Sequence, residues 1–249
     1  SPEVARFIDN LGLLVFEGYG LTETSPIACA NRPGARKIGS VGKAIPEVEI
    51  IIDTSVVDDD SGDGEILIKG PNIMQGYHKL AEETAAVMRE DGAFRSGDRG
   101  RMDSEGFVYI TGRIKEQYKL ENGKYVVPAP LEELLQLSPY INQVFVYGMN
   151  RPFNVCLVVP DQDSIESWAA EQGKTGAYED ILADSDARAL IESELAKCGA
   201  GFKGYERPRK FDLLADEFSV ENGMLTPKMS LKRRIVLESY QDRVDALYN

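Results

Sequence analysis

Between Ile38 and Ile110 the apolar residues come in short runs separated by glycine-bearing turns, a rhythm that commits this stretch to a sheet. Val48 to Ile52, Glu65 to Lys69 and Phe107 to Ile110 each have strand length. The acidic turn from Asp58 to Gly64 reads as a solvated hairpin tip and lacks the alternating spacing of a calcium loop. Upstream, Pro2 to Ile8 is helix-like, and Leu13-Leu14-Val15-Phe16 has the length of a buried strand. Glu82 to Met88 is helical, after which Gly92, Gly97, Gly100 and Gly106 break the chain into turns. The pattern changes near Gly112-Arg113. A hairpin signalled by Asn122-Gly123 follows, then a helix over 131–137, strands at 143–147 and 154–159, helices over 164–172 and 186–197, a strand at 210–214 and a last helix over 230–248. Mixed helices and strands of this kind make a compact α+β domain.

Composition narrows the chemistry. The chain has 249 residues, 43% of them hydrophobic, enough for a sizeable core or two ordinary ones. A formal charge of −13 argues against a nucleic-acid partner, whose phosphates demand a basic surface. His78 is the single histidine, so a histidine-rich metal centre is excluded and the chemistry must rest on Lys, Arg, Asp, Glu and backbone groups. Cys29, Cys156 and Cys198 are odd in number and widely spaced, which fits a reducing cytoplasm. No apolar run has transmembrane length, and peripheral membrane contact stays open.

The run Tyr19-Gly20-Leu21-Thr22-Glu23-Thr24 resembles a signature of the adenylate-forming superfamily of acyl-CoA synthetases, peptide-synthetase adenylation domains and luciferases. Five further blocks follow in the family's order. They are Gly39-Ser40-Val41-Gly42-Lys43; Gly64-Glu65-Ile66 with Gly70-Pro71-Asn72-Ile73-Met74-Gln75-Gly76-Tyr77; Phe94-Arg95-Ser96-Gly97-Asp98; Gly106 to Lys115; and Leu225-Thr226-Pro227. Lys119 to Pro128 resembles the long-chain fatty acyl-CoA branch. The resemblance implies the end of a large adenylating domain over 1–112, with a β-barrel-like subdomain over about 38–112, and a mobile α+β C-terminal domain over 113–249.

The resemblance also implies roles. Tyr19, with Gly20 beside it, would stack on adenine, Thr22 would bond phosphate, and Glu23 would ligate Mg²⁺. Asp98 would accept both ribose hydroxyls, and Arg113 would approach ribose and phosphate with a fork suited to oxyanions. Ile110 would wall the nucleotide, although burial in a strand explains an isoleucine equally well. Lys115 falls at the hinge about which the C-terminal domain swings between half-reactions, and Gly123 lies in the loop that then meets the pantetheine arm of CoA. ATP, AMP, Mg²⁺, CoA and a fatty acid are the implied ligands. A carrier-protein acceptor and a non-catalytic nucleotide-binding module are the alternatives.

The last block departs from the family. The long-chain branch is expected to read Thr-Pro-Thr-X-Lys-X-Lys-Arg; here it reads Thr226-Pro227-Lys228-Met229-Ser230-Leu231-Lys232-Arg233. Ser230, which carries no charge, holds the slot of the adenylation lysine. In an extended backbone Lys228 would lie on the same side, roughly 6.6 Å away. Lys228 is the preferred substitute; a shifted register using Lys232 and an impaired adenylation are the other readings. The family's phosphate-cradling loop is absent from these residues, so the stretch is expected to be a truncated piece, inactive alone.

Overall fold

The computed structural model describes residues 2–57 and 61–249, and Asp58, Asp59 and Asp60 of the acidic turn lie outside the described residues. The chain divides into two compact units, Ser1–Gln117 and Tyr118–Asn249.

The first unit begins with α1 (Pro2–Asn10) and three short strands, β1 (Gly18–Tyr19), β2 (Cys29–Ala30) and β3 (Lys43–Ala44), which pair in that order. Its main sheet joins β4 (Glu49–Asp53), β5 (Gly64–Lys69), β6 (Phe94–Met102) and β7 (Val108–Arg113), each antiparallel to the next, with α2 (Ala81–Val87) between β5 and β6 in sequence. Ile50, Ile66, Ile68 and Val108 pack with Tyr19, Ala28 and Cys29 into one buried cluster. The sheet is open: its order ends at β4 and β7, and no barrel closes among the described residues. The segment before it is stitched to the sheet, because Val41 N–H donates to the Val108 carbonyl and Val108 N–H to the Gly42 carbonyl, both at 2.9 Å. Lys37 and Lys43 both lie over the Phe107 ring, at 4.9 and 4.7 Å from its centroid.

Two expectations for this unit are corrected. Gly97 and Gly100 do not end the chain in turns; both lie inside β6, whose register shifts at Arg99/Gly100. Glycine inside a strand marks a bulge or a close approach, and a Cβ on Gly100 would stand 2.4 Å from the Tyr109 carbonyl oxygen. Leu13, Leu14 and Phe16 are exposed and join no ladder among the described residues. A strand needs a partner edge, and here only isolated bonds reach this run, such as that from Arg36 Nε to the Val15 carbonyl at 2.7 Å.

In the second unit a small hairpin, β8 (Tyr118–Lys119) and β9 (Tyr125–Val126), precedes α3 (Pro128–Leu135), β10 (Ile141–Tyr147), β11 (Asn154–Pro160), α4 (Gln162–Glu171), α5 (Tyr178–Ala183), α6 (Ser185–Cys198), β12 (Pro208–Leu213) and α7 (Arg233–Ala246). β11 is the middle strand, antiparallel to β10 and parallel to β12. Every residue of β11 is buried, and its side chains alternate between two cores. Cys156 and Val158 face Leu131, Leu135, Ile165 and Ile191; Val155, Leu157 and Val159 face Phe218, Val236 and Val244. The last helix starts at Arg233, not Ser230, because residues before it are held in a turn described below.

The two kinds of glycine in the first unit separate experimentally. Gly100→Ala forces a Cβ into backbone and is expected to destabilise by about 2–3 kcal/mol. Gly92→Ala meets nothing within 4 Å but keeps a φ of 81°, for a cost of about 1–2 kcal/mol. Trp168, the single tryptophan, lies in α4 of the other unit, so hydrogen exchange of β5–β7 amides is the measurement. Gly92→Ala proving the costlier change would contradict this account.

Candidate functional site

The signature run is built as a tight loop at the end of β1. Gly20 is required there: a Cβ would lie 1.8 Å from the Pro26 carbonyl oxygen. Thr22–Thr24 forms a single 3₁₀ turn, closed by Thr24, whose hydroxyl accepts the Leu21 N–H at 2.8 Å and donates to the Leu21 carbonyl at 3.0 Å. Thr24 is thereby buried while Thr22 is exposed.

A second motif segment braces this loop. Asn72 Nδ2 donates to the carbonyls of Thr24 and Ile27, at 3.0 and 2.8 Å. Met74 N–H donates to the Glu23 carbonyl at 2.9 Å. The Tyr77 hydroxyl donates to Glu23 Oε1 at 2.8 Å, and burial, then this carboxylate, raises the Tyr77 pKa. Tyr77 and Asn72 belong to the Gly70–Tyr77 block, and their place in it is the one sequence signal of this bracing role.

Asp98 is a buried acid with two fixed side-chain partners. It is 6% exposed, on β6, directly opposite Arg113 on β7. Its Oδ2 accepts the Tyr19 hydroxyl at 2.6 Å and its Oδ1 faces Arg113 Nε at 2.9 Å. Its own N–H donates to Ser96 Oγ at 3.0 Å, and Ser96 Oγ donates to the Ile66 carbonyl at 2.6 Å. Burial raises the Asp98 pKa, with the Tyr19 hydrogen bond and the Arg113 charge pulling it back. Tyr19 is held protonated by its own burial and by Asp98. Two of the roughly four lone-pair positions of the carboxylate remain for a ligand's hydroxyls.

Tyr19, Asp98 and Arg113 therefore form one hydrogen-bonded group, and Glu23 forms another with Tyr77. Ile110 is 39% exposed, so burial in the strand does not account for it. Lys115 is exposed, in a 3₁₀ turn (Ile114–Glu116) two residues before the unit ends, and makes no ion pair among the described residues. The described part of the acidic turn is not simply solvated. Asp63 is buried, with Oδ2 taking Arg99 Nε at 3.0 Å and the Thr111 hydroxyl at 2.7 Å. Arg99 also reaches Gln117 Oε1 and Ser61 Oγ, both at 2.9 Å, so the turn is locked onto β6 and β7 by a buried ion pair that composition alone hides.

In the second unit, Gly123 has a φ of 82° and closes the small hairpin with a 2.9 Å bond to the Leu120 carbonyl. A Cβ there would meet only the Lys119 side chain at 3.9 Å, so backbone conformation, not space, selects glycine. Lys228 lies on an exposed turn, where Thr226 N–H donates to the Ser230 carbonyl at 2.9 Å and Met229 has a φ of 61°. The backbone is therefore not extended, and the same-side spacing of Lys228 and Ser230 does not hold. Lys232 is half-buried at the base of the turn, capping α7, with its N–H on the Met224 carbonyl at 2.8 Å.

The AMP-binding enzyme family profile matches residues 1–78, and the AMP-binding enzyme C-terminal domain profile matches residues 115–249. The chain is 35% identical, over its whole length, to the long-chain-fatty-acid–CoA ligase FadD15 of Mycobacterium bovis, of which it spans 40%. It is 33% identical over 96% of its length to the human long-chain-fatty-acid–CoA ligase 1, spanning 35% of that protein. Among solved structures, the adenylation and carrier-protein didomain of a carboxylic acid reductase from Segniliparus rugosus, in complex with AMP, superposes with a TM-score of 0.78 at 29% identity, covering the whole chain and 33% of the neighbour. With the signature loop, the buried Asp98 bonded to it and both family profiles on one polypeptide, the chain belongs to the adenylate-forming AMP-binding enzyme family.

Proposed function

We propose that this chain is the part of an ATP-dependent long-chain fatty acid:CoA ligase that holds the ribose side of the nucleotide and carries the moving C-terminal domain. The observation that supports it is the Asp98 carboxylate, buried, pinned by Tyr19 and Arg113, and still able to accept hydroxyls. The names of the sequence relatives supply the substrate class.

In this reading Asp98 accepts the ribose hydroxyls, Arg113 neutralises charge beside them, exposed Ile110 flanks the base, and Tyr19, only 8% exposed, serves by holding Asp98 more than by stacking on adenine. Glu23 suits Mg²⁺, because that ion is commonly held by one or two carboxylates plus substrate phosphates, and Tyr77 leaves the second Glu23 oxygen for it. The ion would supply charge neutralisation at the phosphates. Thr22 donates its exposed hydroxyl to phosphate, and Lys228 or Lys232 brings positive charge from the second unit during adenylation. Lys115 is the pivot, a charge that stays solvated in either pose. Gly123 then lies against the pantetheine arm of CoA. The carboxylic acid reductase didomain favours a second reading, in which the acceptor is a carrier-protein thiol.

Fatty acid-dependent pyrophosphate release by the intact protein, followed by CoA-dependent AMP release, is the test. No pyrophosphate with any acid tried would overturn both enzyme readings, and pyrophosphate without a CoA thioester would favour the carrier protein. In the same assay Lys228→Ala is expected to cut pyrophosphate release by about 10²-fold or more, as loss of a transition-state charge does, with Lys232→Ala milder; full activity in both variants would refute the lysine assignment.

Acidity gives a further prediction. Since the folded Asp98 pKa is raised, its stability contribution is present below the unfolded carboxylate value of 3.8 and is lost as pH rises through the folded value. Ribose binding runs the other way, because it uses the ionised form. AMP affinity should therefore fall on acidification at a pH above 3.8. Arg113→Gln, which removes a group that lowers the Asp98 pKa, should move that midpoint upward; a downward move in an AMP titration would contradict the assignment.

A further inference from the structure

Arg233 follows Lys232 immediately and opens α7. Its guanidinium Nη1 lies 2.8 and 2.9 Å from the two oxygens of Glu132 on α3, with the side chains 18% and 7% exposed. Its Nη2 donates to the Val146 carbonyl on β10, and Val146 N–H donates back to Glu132 Oε1 at 2.7 Å. Its planar face covers the Phe145 ring at 4.7 Å. One buried ion pair thus ties α3, β10 and α7 together at a single point.

From that point the chain runs backwards into the lysine turn. Lys232 N–H is fixed to the Met224 carbonyl, Leu231 bridges Leu225, and Leu225 N–H reaches the Ser219 carbonyl at 2.9 Å. Only Thr226–Ser230 projects beyond these anchors. A buried pair adds little net stability over apolar residues of the same size; what this one adds is a fixed origin for the turn. We propose that Glu132 and Arg233 are positioning residues for the adenylation lysines, an inference that rests on the reading of Lys228 and Lys232 given above. The pair serves pyrophosphate formation and is not required when the small hairpin around Gly123 serves thioester formation.

The test uses the intact protein with three changes. Glu132→Met combined with Arg233→Met removes both charges, so that neither is stranded. Arg233→Lys keeps the charge and loses the fork. Arg234→Ala removes a neighbouring charge that pairs with Glu238, at 2.8 Å on the surface. In the double variant, folding followed by Trp168 fluorescence and thioester formation from supplied acyl-AMP and CoA should be retained, while pyrophosphate release falls roughly 100-fold. Trypsin should cut after Lys228 faster than in the parent. Arg233→Lys should fall between, and Arg234→Ala should match the parent in both half-reactions. Undiminished pyrophosphate release in the double variant, or a parallel fall of both half-reactions, would overturn the inference. A parent protein that releases no pyrophosphate would instead overturn the ligase reading, and the trypsin rate would then decide: no acceleration in the double variant refutes positioning.

Discussion

A carboxylate taken out of water needs partners, and Asp98 obtains them from two distant parts of the sequence. Tyr19 comes from the signature loop and Arg113 from the far end of β7. Neither contact forms unless β6 and β7 pair in a register that sets Asp98 against Arg113 and unless the short β1–β3 sheet packs on the main one. The acid is therefore a check on the whole unit as well as a candidate ligand. Burial raises its pKa, and the two contacts that oppose the rise also aim its oxygens.

Much of this was readable in the residues. The strands at 49–53 and 64–69, the buried run of β11 and the α+β character of the second unit follow from periodicity. What escaped has a physical cause in each case. β6 holds two glycines and three arginines in nine residues, so it carries no strand-like signal; its place in the sheet is set by neighbours and by the space that Gly100 leaves for the Tyr109 carbonyl. Leu13 to Phe16 look like a strand because they are apolar, yet pairing depends on a partner edge that local composition does not reveal. Asp63 sits in a run of acids, and only the fold shows that Arg99 comes down beside it.

The candidate site was legible in a similar, partial way. Motif identity located Tyr19, Glu23, Asp98 and Arg113, but not their mutual support. The bracing by Asn72, Met74 and Tyr77 joins segments some fifty residues apart, a separation no local pattern encodes. The lysine turn is the clearest lesson: the same-side argument for Lys228 and Ser230 needed an extended backbone, and Met229 in the left-handed region shows a turn instead.

The middle position of β11 has a consequence for how the second unit comes to exist. β10 and β11 can pair as a local hairpin, but the parallel neighbour β12 arrives only after α4, α5 and α6 have been traversed. Closing that crossover orders a long stretch of chain before the strand contacts compensate for it, and α7 then has to cover the second face. The first unit's main sheet, in which each strand pairs with the next in sequence, has no such non-local step. Until β12 arrives, the apolar middle strand has an open edge on which another chain could add.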